Sequence, residues 1–199
     1  MNWNLVWEHL FIVVVSTLIT VAIGVPLGVL AYFQKSFRKL ILFAVDILQT
    51  IPALALLGMI MVFLGAGKPT VIIGLVLYSL LPIVYNTCLG LTEIDPAIKE
   101  AAMGMGMTRI YRLFHIEFPL AVPTIFTGIR IAAVTAVGVA VFATFVGGGG
   151  LGGVIYRGIH IQNMRLILFA TLSLMVMAIV IDVVMSFTEK RLQRRKTTC

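Results

Sequence analysis

The chain has 199 residues, of which 60% are hydrophobic and only 12% are charged. Soluble domains carry about a quarter of charged residues, so this composition excludes an ordinary soluble protein and predicts an integral membrane protein of one domain. A net charge of +7 is also found in nucleic-acid-binding proteins, but here the basic residues lie between long apolar stretches, which indicates membrane topology and no nucleic-acid partner.

Five stretches are long and apolar enough to cross the lipid bilayer as helices, which takes about 20 mostly apolar residues. The predicted spans are residues 9–33, 40–64, 70–91, 119–146 and 166–187. The sequence therefore predicts an all-α fold, a polytopic transmembrane helical bundle of about five spans. The first stretch lacks a basic n-region and a small-residue cleavage site, so it is interpreted as a retained span rather than a signal peptide.

Lysine and arginine residues are divided unevenly between the two sets of loops. The loops after the first and third spans and the segment after the fifth carry most of them, whereas the other side carries Lys68, Arg157 and Arg165. Because basic loops stay in the cytoplasm, the predicted topology in a bacterial cytoplasmic membrane has the amino terminus outside and the carboxyl terminus inside. The loop at residues 92–118 then faces the cytoplasm.

Two positions inside the bundle are candidates for a transport pathway. Gln49, Thr50 and Pro52 interrupt the second span, where a proline frees a carbonyl group and bends the helix, so they either line a pathway or form a packing kink. The second candidate is the run Gly147, Gly148, Gly149 and Gly150. This run either permits a tightly packed turn or lines the outward mouth of the pathway. No dense aromatic cluster is visible at helical spacing.

Asp46, Arg130 and Asp182 lie within predicted spans, where a charge costs about 2.5 to 3.5 kcal/mol near the bilayer centre. Their predicted depths allow one or both acids to reach Arg130. Three interpretations stay open: a structural ion pair, a gate that opens and closes during transport, and direct contact with substrate.

The loop at residues 92–118 is polar but patterned as two short helices. Asp95 and Pro96 are typical of a helix start, Gly106 predicts a break, and Thr108 predicts a second cap. Small residues at the junction of two such helices favour the close approach of another protein. The alternative is an amphipathic segment that lies on the lipid surface.

The same loop resembles the EAA loop of ABC importer permeases of type I, which have a methionine-permease-like fold. The stretch "EAAMGMGMTRIYRLFHIEFP" carries the motif at Glu100, Ala101, Ala102, Gly106, Ile116 and Pro119, with Phe118 in place of the usual leucine. The resemblance implies that these residues belong to a coupling segment that docks on an ATPase subunit.

Further stretches, including "DILQTIPALALLG" and "TFVGGGGLGG", resemble the branch of this family that imports glycine betaine, carnitine or choline. The resemblance implies a second permease subunit, identical or related, two ABC ATPase subunits and a separate extracytoplasmic solute-binding protein that provides high-affinity recognition. The alternative within the family is an importer of methionine or another small solute. From another class, the alternative is an ion-coupled secondary transporter.

No nucleotide-binding motif is visible, because the glycine-rich stretch lacks the lysine and the serine or threonine of a phosphate-binding loop. The chain is therefore predicted not to be an enzyme and to hold no cofactor, with ATP and Mg bound by the partner ATPase. His9, His115 and His160 share no metal-ligand spacing, so no metal site is predicted. Cys88 is predicted to pack within a span and Cys199 to be a free thiol.

Overall fold

The computed structural model describes residues 3–196, and the side chains of residues 3–191. Over the described residues the chain is helical and contains no strand. Its helices are α1 Trp3–Phe33, α2 Lys35–Thr50, α3 Ala53–Leu64, α4 Lys68–Thr92, α5 Pro96–Gly104, α6 Arg109–Arg112, α7 Phe118–Val139, α8 Gly152–His160 and α9 Met164–Lys196. The predicted free thiol of Cys199 and the side chains of the basic tail at residues 192–196 lie outside the described residues.

Four helical stretches are long and apolar enough to cross a membrane. They are Trp3–Phe33, Lys68–Thr92, Arg109–Val146 and Met164–Arg191. Helices α2 and α3 pass the same test together and form a fifth candidate span, although they are bent by 97° relative to each other. The predicted fold class, an all-α bundle of about five spans, is therefore confirmed for the described residues.

The second predicted span is interrupted at Pro52, as expected, and the interruption is a sharp corner between α2 and α3. Ile51 has φ −67° and ψ 128°, and Pro52 has φ −53° and ψ 127°, so both residues are extended. The proline ring disfavours the helical conformation of the residue before it. Ile51 and Pro52 are therefore both non-helical, and α3 runs in a different direction from α2.

Helix α4 lies at the centre of the bundle and α9 at its periphery. Within the most apolar part of each helix, 56% of residues are buried in α4 but only 11% in α9. Helices α1 and α7 pack on α4 at glycines. A Cβ atom on Gly28 would lie 2.5 Å from Thr87, and one on Gly128 would lie 2.5 Å from the carbonyl oxygen of Pro82. These small residues let the helix backbones approach closely, as in other membrane bundles.

Helix α6 continues into α7 through a π-helical turn at Leu113–Glu117, and a 3₁₀ segment at Ala140–Val146 extends α7 at its other end. Pro119 has no N–H, and its ring conflicts with the preceding turn of a regular α-helix. The wider π turn lies just before this proline and accommodates it. The helical stretch therefore begins at Arg109, whereas the sequence predicts a separate helix and a span that starts at Pro119.

Candidate functional site

The loop between α4 and α7, called the EAA loop below, is ordered by two side-chain caps. The Asp95 carboxylate accepts a hydrogen bond of 2.9 Å from the N–H of Ala97 and caps α5. The Thr108 hydroxyl accepts one of 3.4 Å from the N–H of Tyr111 and caps α6. Gly106 lies between the two helices with φ of 78°, which favours glycine. The predicted caps and the predicted break are confirmed.

The residues of the EAA motif differ in their exposure. The exposed ones are Glu100, Ala101, Gly106 and Pro119, and Ile116 is half-buried. Ala102 is fully buried on the inner face of α5. The expectation that both alanines are open to a partner is therefore wrong for Ala102, which packs within its own chain.

The EAA loop also presents large apolar side chains on its outer surface. Each of these is at least 40% exposed: Ile98, Met103, Met105, Ile110, Tyr111 and Phe114. Exposed apolar groups concentrated in one short segment are typical of an interaction surface, and methionine adapts to the shape of a partner. The sequence motif, which contains none of these six residues, does not indicate this surface.

Two basic side chains fasten the EAA loop to the ends of α1 and α4. The Lys99 ammonium donates a hydrogen bond of 2.9 Å to the carbonyl oxygen of Leu91 and lies 5.2 Å from the ring centre of Tyr32. The Arg109 guanidinium donates one of 3.1 Å to the carbonyl oxygen of Phe33. Each cation therefore satisfies a free carbonyl at the negative end of a helix.

A buried ion pair holds the π turn together. The guanidinium of Arg112 donates a hydrogen bond of 2.5 Å to the Glu117 carboxylate, and the side chains are only 12% and 1% exposed. Burial also lowers the pKa of the nearby Lys99 ammonium, although the Glu117 carboxylate opposes this change. Sequence reasoning missed the Arg112–Glu117 pair, although its spacing of five residues fits a π turn.

Arg130 joins α7 to α9 through two carboxylates. Its guanidinium donates hydrogen bonds of 2.7 and 3.0 Å to the two oxygens of Asp182, and a third of 3.1 Å to Glu189. Thr127 donates a further hydrogen bond to Glu189. The structure thus brings together Arg130 and Asp182, adds Glu189, and leaves Asp46 outside this cluster. Asp182 and Glu189 are seven residues apart, which places them two turns apart on one helix face.

At the opposite end of the bundle, Glu8 holds the glycine run in place. Its carboxylate accepts a hydrogen bond of 3.0 Å from the N–H of Gly150 and forms an ion pair of 2.8 Å with Lys68. Gly147, Gly149 and Gly150 all have positive φ angles, between 72° and 83°. The run is therefore an irregular, packed turn. Gly149 and Gly150 also line a cleft of about 740 Å³.

His9 is buried beside the same turn, and both nitrogens of its ring form hydrogen bonds with backbone groups. Its Nδ1 accepts a hydrogen bond of 3.4 Å from the N–H of Leu151, so Nε2 carries the proton and donates to the carbonyl oxygen of Val137 at 3.0 Å. In the part of the chain that the structure describes, no three His, Cys, Asp or Glu side chains are grouped so as to hold a metal ion.

The polar residues of the second predicted span lie beside the corner between α2 and α3. The Thr50 hydroxyl donates a hydrogen bond of 2.7 Å to the carbonyl oxygen of Ile47, and Pro52 is exposed. Gln49 and Asp46 line an open cleft of about 560 Å³ between α2, α4 and α7. The corner thus borders a cavity.

A bundle of four to five candidate spans, with one ordered loop fastened to helix ends, defines a multi-pass helical membrane protein. A family model described as the inner membrane component of binding-protein-dependent transport systems matches residues 20–197. The chain belongs to this family of permeases, as the EAA motif predicts.

Individual relatives are similar over almost the whole chain. The carnitine transport permease OpuCD of Listeria monocytogenes is 42% identical over 187 residues, which are 94% of this chain and 84% of that protein. The glycine betaine/carnitine/choline permease OpuCD of Bacillus subtilis is 39% identical over 94% of this chain and 82% of its own length. The osmoprotectant import permease OsmW of Salmonella typhimurium is 39% identical, with coverages of 90% and 86%.

The fold matches solved structures of the MetNI methionine ABC transporter in inward-facing conformations. One match has a TM-score of 0.86 at 26% identity and covers 94% of both chains. The predicted resemblance to the methionine-permease-like fold is therefore confirmed.

Proposed function

We propose that this chain is a permease subunit of an ATP-driven importer of quaternary-amine compatible solutes, such as glycine betaine, carnitine or choline. The observation that supports this substrate class is the 42% identity, over 94% of the chain, to a carnitine permease. The other relatives described above are named for carnitine, choline, glycine betaine or osmoprotectants. The solutes in these relatives' names belong to one class, the compatible solutes of the quaternary-amine type.

The proposed complex contains two permease subunits, two ABC ATPase subunits and an extracytoplasmic solute-binding protein. In the proposed orientation the amino terminus is outside and the EAA loop is cytoplasmic, because most of the basic loop residues lie on that side. The exposed apolar side chains of the EAA loop are the proposed contact with the ATPase. ATP and Mg bind to that partner, and this chain holds no cofactor.

The fastening of the EAA loop supports a mechanism for coupling. Movement of the loop by the ATPase is transmitted to α1 through the Arg109–Phe33 contact and to α4 through the Lys99–Leu91 contact. It reaches α7 directly, because α6 and the π turn are continuous with that helix. The loop and these helix ends thus move as a rigid body, and the bundle alternates between inward-open and outward-open states.

The test is reconstitution of the permease with the ATPase and the binding protein that co-purify with it. Uptake of radiolabelled glycine betaine, carnitine or choline into proteoliposomes is expected only with hydrolysable ATP and the binding protein. A non-hydrolysable ATP analogue is the control. Failure to transport any quaternary amine under these conditions contradicts the proposed substrate class.

Methionine is the second candidate solute, because the fold matches that of a methionine transporter. ATP-dependent uptake of methionine, without competition from choline or betaine, would favour it. Uptake that collapses with an ion gradient while ATP is held constant would instead indicate an ion-coupled secondary transporter.

A further inference from the structure

One face of α2 does not pack into the bundle. Lys39, Phe43, Asp46 and Gln49 follow one another at intervals of four, three and three residues, so they share one side of the helix. The side chain of Phe43 is 61% exposed, whereas Val45, which lies on a different side, is buried in the core. The row is therefore directed away from the core of the chain.

Three members of this row line the cleft of about 560 Å³ that α2 forms with α4 and α7. Phe43, Asp46 and Gln49 come from α2, and α4 contributes Pro82 and Tyr85. The phenol ring of Tyr85 is 50% exposed. The cleft thus contains a carboxylate, an amide and two exposed aromatic rings within a largely apolar concave surface.

Among the side chains that the structure describes, the carboxylate of Asp46 has no ion-pair partner. Among the side chains of residues 3–191, ion pairs are formed by Glu8, Glu117, Asp182 and Glu189, and no basic nitrogen lies within 4.0 Å of Asp46. An acidic residue in a membrane-spanning region is costly when it faces lipid, and such residues face water-filled cavities or pair with a cation. A cation from outside the chain would complete this site.

We propose that this cleft is a low-affinity site for a quaternary ammonium group on the transport pathway, with Asp46 as its counter-charge and Phe43 and Tyr85 as its aromatic walls. The choice of ligand class rests on the proposed function. A quaternary ammonium group has no N–H to donate, so charge and aromatic faces are the contacts that recognise it. Two rings and one acid make an incomplete cage, which suits a site that must release its ligand. Gln49 supplies an amide for the polar end of the solute.

The direct test is the binding of radiolabelled tetramethylammonium to the purified permease–ATPase complex in nanodiscs, without the binding protein. Saturable binding is expected in the wild type and at least about tenfold weaker binding in Asp46→Asn, because the counter-charge is lost. Phe43→Leu should weaken binding about threefold, the size of an exposed cation–π contact. Phe37→Leu, which changes a similarly exposed phenylalanine of α2 outside the cleft, is the matched control and should bind as the wild type does.

A competition experiment on the wild type avoids variants altogether. Choline should displace tetramethylammonium, whereas 3,3-dimethylbutanol, its uncharged analogue of nearly the same shape, should not. Absence of saturable binding, equal binding by Asp46→Asn, or equal displacement by the uncharged alcohol would each overturn the proposal.

Uptake measurements with the complete transporter distinguish a failure of this proposed site from a failure of the proposed function. With saturating amounts of the loaded binding protein, choline uptake by Asp46→Asn should have a lower maximal rate, while the ATPase is still stimulated by that protein. An unchanged maximal rate would overturn the site and leave the function intact. If the wild type transports methionine and no quaternary amine, while tetramethylammonium binding still depends on Asp46, the proposed function fails and the cation site stands.

Discussion

The guanidinium of Arg109 donates a hydrogen bond of 3.1 Å to the carbonyl oxygen of Phe33 and lies 4.5 Å from the centre of that residue's ring. This contact joins residues 76 positions apart in the sequence. It fastens the EAA loop to the carboxyl end of α1, where the helix dipole attracts a cation. The loop is thus held against the bundle by a bond that depends on the charge and the planar shape of one side chain.

Arg109→Gln should weaken the coupling of ATP hydrolysis to uptake. A cation at a helix end contributes about 0.3 to 1 kcal/mol, so we expect uptake per ATP hydrolysed to fall by up to about fivefold. The measurement is the ratio of the two rates in proteoliposomes. Lys190→Gln, which removes an exposed charge from α9, is the control and should leave the ratio unchanged. An unaltered ratio in Arg109→Gln would show that this contact does not transmit motion.

Gly106→Val should uncouple ATP hydrolysis from uptake without preventing membrane insertion. The φ of 78° at Gly106 costs a residue with a Cβ about 1 to 2 kcal/mol, so the turn between α5 and α6 must change its shape. Gly104→Ala is the matched control, because Gly104 ends α5 without a positive φ and a Cβ there meets no atom within 4 Å. Equal coupling in both variants would contradict a role for the turn. Glu100→Lys is expected to uncouple as well, because Glu100 is exposed on the same loop.

The sequence predicts the helices and the caps well because their signals are local. Hydrophobic spans, an aspartate before a proline and a threonine cap each act within a few residues, so Asp95 and Thr108 could be identified directly. The bend at Pro52 is predicted but its angle is not, because a proline indicates that a helix bends and not by how much. The continuity of α6 with α7 was missed, since a π turn compensates for Pro119 and has no simple sequence pattern.

Two of the site contacts that sequence reasoning missed join residues that are far apart in the sequence. Glu8 and Gly150 are 142 residues apart, and Arg130 and Glu189 are 59 apart. No periodicity links such positions, and only the packing of α1 against the glycine run, and of α7 against α9, brings them together. Asp46 and Asp182 have similar predicted depths, so sequence alone could not decide which of them meets Arg130.

Glu117→Gln should destabilise the permease. Removing one charge leaves the other member of a buried pair without its partner, and Arg112 is only 12% exposed. We expect a loss of about 3 kcal/mol in the free energy of unfolding, measured by denaturant titration in detergent. The double variant Arg112→Met/Glu117→Met should recover most of this loss, because neither charge then remains buried. No loss in the single variant would show that the pair contributes little.

Arg130→Ala should impair assembly or transport more than Arg157→Ala. Removal of Arg130 leaves Asp182 and Glu189 without a counter-charge between α7 and α9, whereas Arg157 is exposed on the short helix α8. The yield of assembled complex and the rate of uptake are the two measurements. Normal assembly with lost uptake would favour a gate, and loss of both would favour a structural ion pair. Equal, mild effects of the two substitutions would exclude both roles.

Gly150→Ala should reduce uptake by disturbing the turn at the Glu8 end of the bundle. Gly150 has φ of 83°, and a Cβ there would lie 3.0 Å from Nδ1 of His9, so the turn must shift and the hydrogen bond from its N–H to Glu8 is weakened. Gly138→Ala is the matched control, because that glycine is helical and a Cβ on it meets no atom within 4 Å.

Glu8→Gln tests the same contact from the other side, since the amide still accepts a hydrogen bond but loses its ion pair with Lys68. If the turn must hold its shape for transport, Gly150→Ala lowers the uptake rate more than Glu8→Gln does, and Gly138→Ala leaves it unchanged. The reverse order would indicate that the charge on Glu8, and not the shape of the turn, is what transport requires.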